Sequence, residues 1–426
     1  MTLLLMVGAL LLLLFIRVPV AFALLVPAVG YVLLDETAST NTAVQQTLAG
    51  VNQFPVLAVP MFILLGNLAN QSGATDRIYD TAIAFLGRIR GSLGYVNVAT
   101  SFGFSWMSGA AIADAAAMGR VQVPAMIKRG YDPRFSVGIT GGSSIIAPLI
   151  PPSIPAIIYA VTAGLSVGAL FLTGIVPALV LILVLCLLVF WFTRKQEPAS
   201  GPKPSWAARG KSLLAAIPVA GAAVVILGGI LSGIVTPTEA SAVGVLYILI
   251  LSVIYRQMTW KKLYHVAIRT LETTGSVLLI VCAAALFGWV LARERAPQEV
   301  SELILSITNN PIVFLLLVNV FLILVGALLE PTSAILIVVP VLAPIADTFS
   351  IDPLHFAAIV IFNLMLGLLT PPVGLVLFVL SSVTGMSVPH VVRGVMPFFA
   401  AMLVVLLAIT YIPALSLWLP GVFGVG

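Results

Sequence analysis

Two carboxyl groups inside apolar stretches, each close to hydroxyl groups, are the first residues that indicate chemistry. Asp114 follows Ser108 by six residues. Glu330 comes just before Thr332 and Ser333. A carboxylate inside a membrane costs roughly 2.5 to 3.5 kcal/mol on insertion scales, so it needs a partner there. Carboxylate, hydroxyl and carbonyl oxygens are the ligands that hard cations such as sodium prefer. These positions therefore predict two sodium sites.

Each carboxyl group is followed along the chain by a segment that an uninterrupted helix does not tolerate. The segments are GGSSIIAPLIPPSIP at residues 141–155 and LGLLTPPVG at residues 366–374, and both combine glycines and hydroxyls with a Pro-Pro pair. Proline removes a backbone donor and clashes with the preceding turn, so both segments are predicted to be broken membrane helices. Unwound backbone at such a break exposes carbonyls that coordinate ions.

The predicted ligands come from the surroundings of the two carboxyl groups and from the broken helices. The first sodium site comprises Ser108, Gly109, Asp114, Gly142, Ser143 and Ser144, and the second comprises Glu330, Thr332, Ser333, Gly367 and Thr370. The transported solute is predicted to contact Pro151, Pro152, Ser153, Asn363, Pro371 and Pro372. An alternative stays open, in which these residues only cap half-helices and allow tight packing.

Composition indicates an all-α polytopic membrane protein. Hydrophobic residues make up 61% of the 426 residues, charged residues 8%, and the mean hydropathy is +1.17. A chain dissolved in the lipid bilayer needs this composition, whereas a water-soluble fold of this size does not. No basic stretch interleaved with aromatic residues occurs outside short loops, so nucleic-acid binding is not expected.

The histidines and cysteines give no indication of an enzyme. His265, His355 and His390 all fall at the predicted ends of membrane spans, so no embedded metal or nucleophile cluster is visible. Cys186 and Cys282 both lie in apolar runs. They are predicted to be packing residues, because neither a disulfide framework nor a thiolate metal site is suggested.

The prolines indicate an internal duplication. Seven prolines lie between residues 124 and 177, and five of them recur 220 residues later. The Asp132-Pro133 pair recurs in the same way as Asp352-Pro353. Proline is common in membrane helices in general, but that frequency does not explain a fixed offset.

The predicted elements follow from hydropathy and breaker residues. Residues 3–34 are predicted to form one long apolar helix interrupted at Arg17-Val18-Pro19, and a span at 45–70 follows it. The first repeat continues with an amphipathic interfacial helix at 74–91 and a re-entrant hairpin at 95–127, whose tip is Ser108-Gly109. A broken helix at 133–163 and a span at 168–193 complete it. After a linker at 194–211 come spans at 211–232, 237–256 and 265–292, a second interfacial helix, a hairpin at 312–345, a broken helix at 353–385 and a final span at 390–420.

Charge predicts the orientation of these elements. The linker carries five basic residues and one acidic residue, so the positive-inside rule places it in the cytoplasm. The first hairpin then opens from the cytoplasm and the second from outside. The sequence therefore predicts an inverted-topology repeat of nine full spans and two hairpins, an architecture of secondary transporters that bind solute and ions near the membrane midplane.

Several motifs resemble one transporter family over nearly the whole chain. They are VPMFILLGNLANQSG at 59–73, SGAAIADAAAMG at 108–119, IPPSIPAIIYA at 150–160, GIVTPTEASAVGVLY at 233–247 and LLTPPVGLVLFV at 368–379. Together they resemble the large membrane subunit of tripartite ATP-independent periplasmic (TRAP) transporters, which belong to the ion transporter superfamily. Where that family commonly has a hydroxyl residue after Ser108-Gly109, this chain has Ala110, which removes one possible sodium ligand.

The resemblance implies sodium-coupled uptake of an organic acid anion, such as a C4-dicarboxylate or sialic acid, across the bacterial inner membrane. It implies two partners, a periplasmic solute-binding protein and a small four-helix membrane subunit. It also implies an elevator, in which a transport domain at 92–193 and 312–420 slides against scaffold spans at 1–72 and 211–292. Arm helices at 74–90 and 296–308 would join the two bodies.

One other transporter class stays open at this stage. A stand-alone sodium-coupled anion symporter or exchanger of the same superfamily would share the repeats and need no binding protein. Outside the repeats, Thr236-Pro237-Thr238-Glu239 is expected to be a helix cap rather than a functional site.

Overall fold

The computed structural model describes residues 2–35, 38–195 and 205–425, and this part of the chain is helical throughout, without a β-strand. Its first half contains the helices α1 Thr2–Phe15, α2 Val20–Leu34, α3 Thr40–Ala49, α4 Ala58–Gln71, α5 Ala74–Leu86, α6 Ser92–Ser108, α7 Ala111–Lys128, α8 Pro133–Ser144, α9 Ile154–Ala163 and α10 Val167–Thr193. The second half contains α11 Trp206–Leu231, α12 Pro237–Ile254, α13 Trp260–Arg293, α14 Ala296–Ile307, α15 Pro311–Leu328, α16 Pro331–Thr348, α17 Pro353–Gly367, α18 Leu375–Thr384, α19 Val388–Tyr411 and α20 Ala414–Val422.

The interruption predicted at Arg17-Val18-Pro19 is confirmed, but the amino-terminal segment folds back on itself there, so the prediction that residues 3–34 form one long helix is wrong. Helices α1 and α2 lie antiparallel, and Leu5 and Met6 share a cavity wall with Gly30 and Tyr31. At about 1.5 Å per residue, neither helix reaches the roughly 30 Å thickness of a hydrocarbon core. Apolar composition alone is compatible with one long helix and with two short antiparallel helices, and the turn between α1 and α2 decides between them.

The turn between α1 and α2 is made by Arg17, which has the left-handed backbone angle φ of 66°. Pro19 follows it as the residue before α2 and has no backbone N–H to continue the helical ladder. Arg17 therefore lies at a turn, at the opposite end of the helix pair from Asp35, and not in the middle of a membrane span.

The second predicted span, 45–70, is also divided. Helix α3 ends at Ala49, a single 3₁₀ turn covers Phe54–Leu57, and α4 follows. A Cβ atom at Gly50 would lie 2.6 Å from the Cβ atom of Ala285, so the end of α3 packs directly on α13. The span proper is Phe54–Gln71, one of eight helical segments in the described residues that are long and apolar enough to cross a membrane.

The final predicted span, 390–420, is broken as well. Helix α19 ends at Tyr411, and after Pro413 the chain forms the short helix α20, which packs against α10. Ser416 of α20 lies 2.8 Å from Nδ1 of the buried His355. Of the predicted linker, residues 196–204 lie outside the described residues.

The repeat predicted from the prolines is confirmed by the structure. Each half contains an arm helix (α5 or α14), a hairpin (α6–α7 or α15–α16), a broken helix (α8–α9 or α17–α18) and a long helix (α10 or α19). Asp132 caps α8 by accepting from the Arg134 N–H at 2.6 Å, and Asp352 caps α17 by accepting from the Leu354 N–H at 2.8 Å. Residues 220 positions apart therefore perform the same structural role.

The two hairpins enter the helix bundle from opposite ends. Arg77 of α5 stacks over the ring of Tyr255 at 3.6 Å, and Arg209 of α11 donates to the Ala84 carbonyl of α5 at 3.2 Å, so the arm that leads into the first hairpin lies beside the α12–α13 loop and the start of α11. We call this the basic end of the bundle. At the other end of the 34-residue helix α13, Arg293 pairs with Asp35 at 3.2 Å, and α14 and the second hairpin follow there. The repeats are inverted, as predicted.

The expected cap at the start of α12 is confirmed. Thr236 and Glu239 form a capping box, in which the Glu239 carboxylate accepts from the Thr236 N–H at 2.8 Å and the Thr236 hydroxyl accepts from the Glu239 N–H at 3.3 Å. This arrangement satisfies two donors that a helix start otherwise leaves free. Glu239 therefore has a structural role.

A glycine contact between the repeats gives the first testable prediction. A Cβ atom at Gly138 of α8 would collide with the Gly394 carbonyl oxygen of α19. We expect Gly138→Ala to lower the free energy of unfolding by about 1–3 kcal/mol, because backbone cannot move aside cheaply. Gly228→Ala in α11 is the matched control: its Cβ would have open space, and alanine favours helix by roughly 1 kcal/mol. Thermal unfolding of both purified variants measures the difference, and equal stability would contradict the packing.

Candidate functional site

The tip of the first hairpin touches the first broken helix. Helix α6 ends at Ser108, Gly109 has a left-handed φ of 55°, and α7 begins at Ala111. A Cβ atom at Gly109 would lie 2.5 Å from the carbonyl oxygen of Pro152. Only glycine allows both this backbone angle and this approach. The structure thus brings together two segments that the sequence predicts to form one site.

Ser108 carries a hydroxyl oxygen that is buried and has no hydrogen-bond partner among the described residues. Native proteins rarely leave a buried polar atom unsatisfied, so this oxygen is available to a water or to a cation. The Ser108 oxygen lies beside the last carbonyls of α6, which have no partners within their own helix. A cation placed at this tip would find oxygens from both sources.

Asp114 lies in a separate cluster farther along the hairpin. Its Oδ2 atom is 2.8 Å from the Ser101 hydroxyl, which lies 3.1 Å from the Ser143 hydroxyl. Ser143 donates to Asn97 Oδ1 at 2.7 Å, and Asn97 Nδ2 donates to Thr140 at 2.7 Å. All five side chains are buried, and Asp114 Oδ1 has no partner in the described part of the chain.

The predicted ligands of the first sodium site are therefore divided between two places. Ser108 and Gly109 form the tip, whereas Asp114 and Ser143 belong to the inner cluster. No hydrogen bond joins Ser108 to Asp114 within the described residues. Ser144 donates to the Gly141 carbonyl of its own helix at 2.7 Å, and Gly142 packs against Leu185 and Phe398.

Sequence reasoning missed Asn97 and Ser101 of the inner cluster. They are four residues apart and so share one face of α6, which is the signal that identifies them. A polar pair on one face of a membrane helix that otherwise packs against protein indicates a specific partner.

At the second tip, Glu330 acts as a helix cap. Its carboxylate accepts from the Ser333 N–H at 3.2 Å and from the Thr332 hydroxyl at 2.8 Å. Thr332 and Ser333 are buried in the first turn of α16. The predicted trio is brought together, but the contacts within it are those of an N-cap.

The second hairpin and the second broken helix cross through two glycines. A Cβ atom at Gly326 would lie 3.1 Å from Gly367 Cα, and one at Gly367 would collide with the backbone of Gly326. The Gly374 N–H donates to the Ala327 carbonyl at 3.3 Å, which fastens the broken segment to the hairpin. Thr370 donates to the Leu366 carbonyl at 3.0 Å. Gly326 was missed by the sequence analysis, although a glycine so near a hairpin tip is a signal of close backbone approach.

The predicted solute residues do not share one surface. Ser153 caps α9 by accepting from the Ala156 N–H at 3.2 Å, and Pro151 and Pro152 are buried beside it. Pro371 and Pro372 are exposed. The two broken helices therefore match in sequence position but differ in exposure.

Asn363, also predicted to contact solute, is wholly buried in α17. Its amide nitrogen lies 2.8 Å from Asn319 Oδ1, and Asn319 in turn donates to Thr410 at 3.0 Å. The Asn363 Oδ1 atom has no partner in the described ranges. Asn363 takes the place in the second repeat that Ser143, 220 residues earlier, takes in the first.

Comparison with known proteins agrees with this architecture. The family described as "Tripartite ATP-independent periplasmic transporter, DctM component" matches residues 7–415. The chain is 40% identical over 412 residues to the sialic acid TRAP transporter large permease protein SiaM of Vibrio cholerae, covering 96% of both chains. It is 37% identical over 375 residues to the C4-dicarboxylate TRAP transporter large permease protein DctM of Pseudomonas aeruginosa, covering 87% of both.

A solved structure shares the fold. The YdaH transporter of Alcanivorax borkumensis, whose crystal structure is described as having an unusual topology, superposes with a TM-score of 0.59 over 95% of this chain and 98% of its own, at 15% identity. The motif resemblance is thus confirmed, and the chain belongs to the DctM family, the large permease component of tripartite ATP-independent periplasmic transporters.

Proposed function

We propose that this permease drives the sodium-coupled uptake of an organic acid anion into a bacterial cell. The proposal rests on one observation: each of the two hairpin tips contacts a broken helix at a glycine. At the first tip, Ser108 Oγ is a buried oxygen without a partner among the described residues, and Asn363 Oδ1, one helical turn before Gly367 in α17, is another. The two named relatives take sialic acid and C4-dicarboxylates, and both kinds of solute carry carboxylates.

Helix ends at each break suit a cation and an anion together. At the first break α6 and α8 end, and their last carbonyls carry partial negative charge, whereas α7 begins without a side-chain cap and its free N–H groups carry partial positive charge. The second break repeats this with the ends of α15 and α17 and the uncapped start of α18, while Ser153 and Glu330 cap α9 and α16. Sodium as cargo would sit at the carbonyl ends, and the solute carboxylate would face the uncapped starts of α7 and α18.

The first sodium would use the Ser108 hydroxyl and backbone carbonyls at the tip, as expected from the missing hydroxyl at Ala110. The second would use carbonyls near Gly326 and Gly367 with the Thr370 hydroxyl. Glu330 contributes negative charge nearby while it caps α16. Asp114 and its hydroxyl neighbours would hold the first hairpin in shape.

We further propose two partners and an inner-membrane location. The word "tripartite" in the family description supports two further components. One is a periplasmic solute-binding protein that delivers the anion, and the other is a small four-helix membrane subunit beside the scaffold.

Transport would proceed by an elevator movement. Arms α5 and α14 occupy matching places in the repeats, and each joins the helices before it to a hairpin. Such a link lets the hairpins and broken helices, residues 92–193 and 312–420, slide against residues 1–72 and 211–292. A rocking movement would instead keep the site at fixed depth.

Sodium coupling is tested in proteoliposomes that contain the chain, the small subunit and the binding protein. We expect uptake to require external sodium. For a monocarboxylate solute we also expect uptake to rise with an inside-negative membrane potential, because two sodium ions with one singly charged anion carry one net positive charge inward. Undiminished uptake after potassium or choline replaces sodium, without a pH gradient, would contradict the proposal.

The second sodium site is tested by Thr370→Ala. Losing one oxygen ligand should raise the sodium concentration for half-maximal uptake about tenfold, which corresponds to about 1.4 kcal/mol. Thr162→Ala is a matched control, because the Thr162 hydroxyl makes the same kind of bond, to the Ile158 carbonyl at 2.8 Å, but lies away from the tips. Equal sodium dependence of both variants would exclude Thr370 as a ligand.

The elevator is tested by cysteine cross-linking between the first tip and α4. A Cβ atom at Gly66 would lie 2.7 Å from the Met107 carbonyl oxygen, so Met107→Cys should react with Asn67→Cys in this arrangement. Sliding predicts that Met107→Cys also cross-links to Val59→Cys, which lies eight residues or about 12 Å away from Asn67 along α4. Cross-linking to only one of these two positions under all sodium and solute conditions would leave rocking as the mechanism.

A further inference from the structure

A cavity of about 630 Å³ lies at the basic end of the bundle between α4, α7 and α13. Its wall begins at Ala113, four residues after Gly109 in the hairpin tip, and extends to Lys261 near the start of α13. The cavity therefore leads from the neighbourhood of the first break to the end that we place in the cytoplasm. One wall belongs to the first hairpin and the other to the helices of the predicted scaffold.

The charge of this cavity is positive on both walls. Arg120 lies on the hairpin side, and Lys261, Lys262 and Arg269 lie on the α13 side. No acidic side chain lines the cavity among the residues that the structure describes. Like charges around a cavity with low-dielectric walls reinforce one another and raise the local concentration of anions.

Three of these cations have no fixed partner. Lys262 donates to the Gln257 carbonyl at 2.9 Å. Arg120, Lys261 and Arg269 make no side-chain hydrogen bond or ion pair within the described ranges, and Arg269 is not bridged to Glu272 one turn later. Their donors are available to a ligand.

The positive-inside rule accounts for the side of the bundle on which these cations lie, but not for their arrangement around one cavity. Lys261 and Lys262 are in the first turn of α13. Arg120 lies eight residues before the end of α7, about 12 Å along the helix, and Arg269 is the tenth residue of α13. Cations from two elements that belong to different repeats therefore converge on the same cavity.

We propose that this cavity is an anion-binding vestibule, which holds the carboxylate of the transported solute between the broken helices and the cytoplasm. The inference rests on the proposed function and adds a second solute site to it. The guanidinium groups of Arg120 and Arg269 match a carboxylate by two parallel hydrogen bonds. Asn70 and Gln71 add amide groups for the other polar groups of the solute, and Asn67, whose Nδ2 donates to the Thr270 hydroxyl at 3.0 Å, adds its Oδ1 atom.

A phosphate of an anionic lipid has the same oxyanion chemistry, but the lining favours a solute. The apolar part of the wall consists of Ala113, Ala116, Ala117 and Val266. These small side chains offer little surface to an acyl chain, whereas the three amides suit a polar molecule. We therefore assign the vestibule to a carboxylate solute.

The charge of the vestibule is tested with a cysteine probe in the full chain. Gln71→Cys is made with Cys186 and Cys282 replaced by alanine, and the protein is placed in phosphatidylcholine nanodiscs. We expect an anionic methanethiosulfonate reagent to react at least about tenfold faster than a cationic one, relative to their rates with free thiol. Equal relative rates would overturn the proposal.

Substitutions then identify the groups responsible. Arg120→Gln with Arg269→Gln should lower the preference for the anionic reagent, because only Lys261 and Lys262 then remain as cations. Arg120→Lys should retain the preference, and Arg393→Gln, a basic-residue control outside the cavity, should leave it unchanged. Size-exclusion chromatography and thermal unfolding confirm that each variant folds. An undiminished preference in the double Gln variant would overturn the assignment of these arginines.

Protection by different ligands distinguishes the possible sources of the oxyanion. Millimolar succinate should slow modification of Gln71→Cys in neutral lipid, and the double Gln variant should lose this protection. Protection by inorganic phosphate or by added phosphatidylglycerol, without protection by succinate, would overturn the assignment to a carboxylate solute. If uptake does not depend on sodium while the reagent preference and the protection by succinate are both observed, the proposed sodium coupling is rejected and the assignment of the anion site is kept.

Discussion

The structure depends on one constraint, the need to satisfy backbone polar groups inside a membrane where no water replaces a lost hydrogen bond. The chain interrupts two helices in their middle, after Ser144 and after Gly367, and each interruption is covered by the tip of a hairpin. Glycine makes the covering possible, because Gly109 approaches the Pro152 carbonyl and Gly326 approaches Gly367 more closely than any Cβ atom allows. The irregular backbone at each interruption is thus surrounded by protein and not by lipid.

The same constraint creates the chemistry. Helices that end inside the bundle leave carbonyls and N–H groups without helical partners, and inversion of the repeats brings such ends together in two places. The repeats then diverge: Asp114 is buried in a hydroxyl cluster of the first hairpin, whereas Glu330 caps the first turn of α16. A duplicated backbone therefore carries two different arrangements of side chains.

Access to the two breaks is also unequal. Pro151 and Pro152 are buried, and the basic cavity ends near the first tip, whereas Pro371 and Pro372 are exposed. The two repeats thus share a fold but differ in the charge and the exposure around their breaks.

The sequence by itself determined the hairpins, the breaks and their inversion, because proline pairs, glycines and Asp-Pro caps act within a few residues and recur at one fixed spacing. Only the tertiary structure decided that residues 3–34 fold back at Arg17 and that the last span stops at Tyr411, since apolar composition is satisfied by either arrangement. It also decided that Asp114 meets Ser101 and not Ser108. Which face of a helix meets which neighbour is set by packing across the bundle, and that information is spread over residues far apart in the chain.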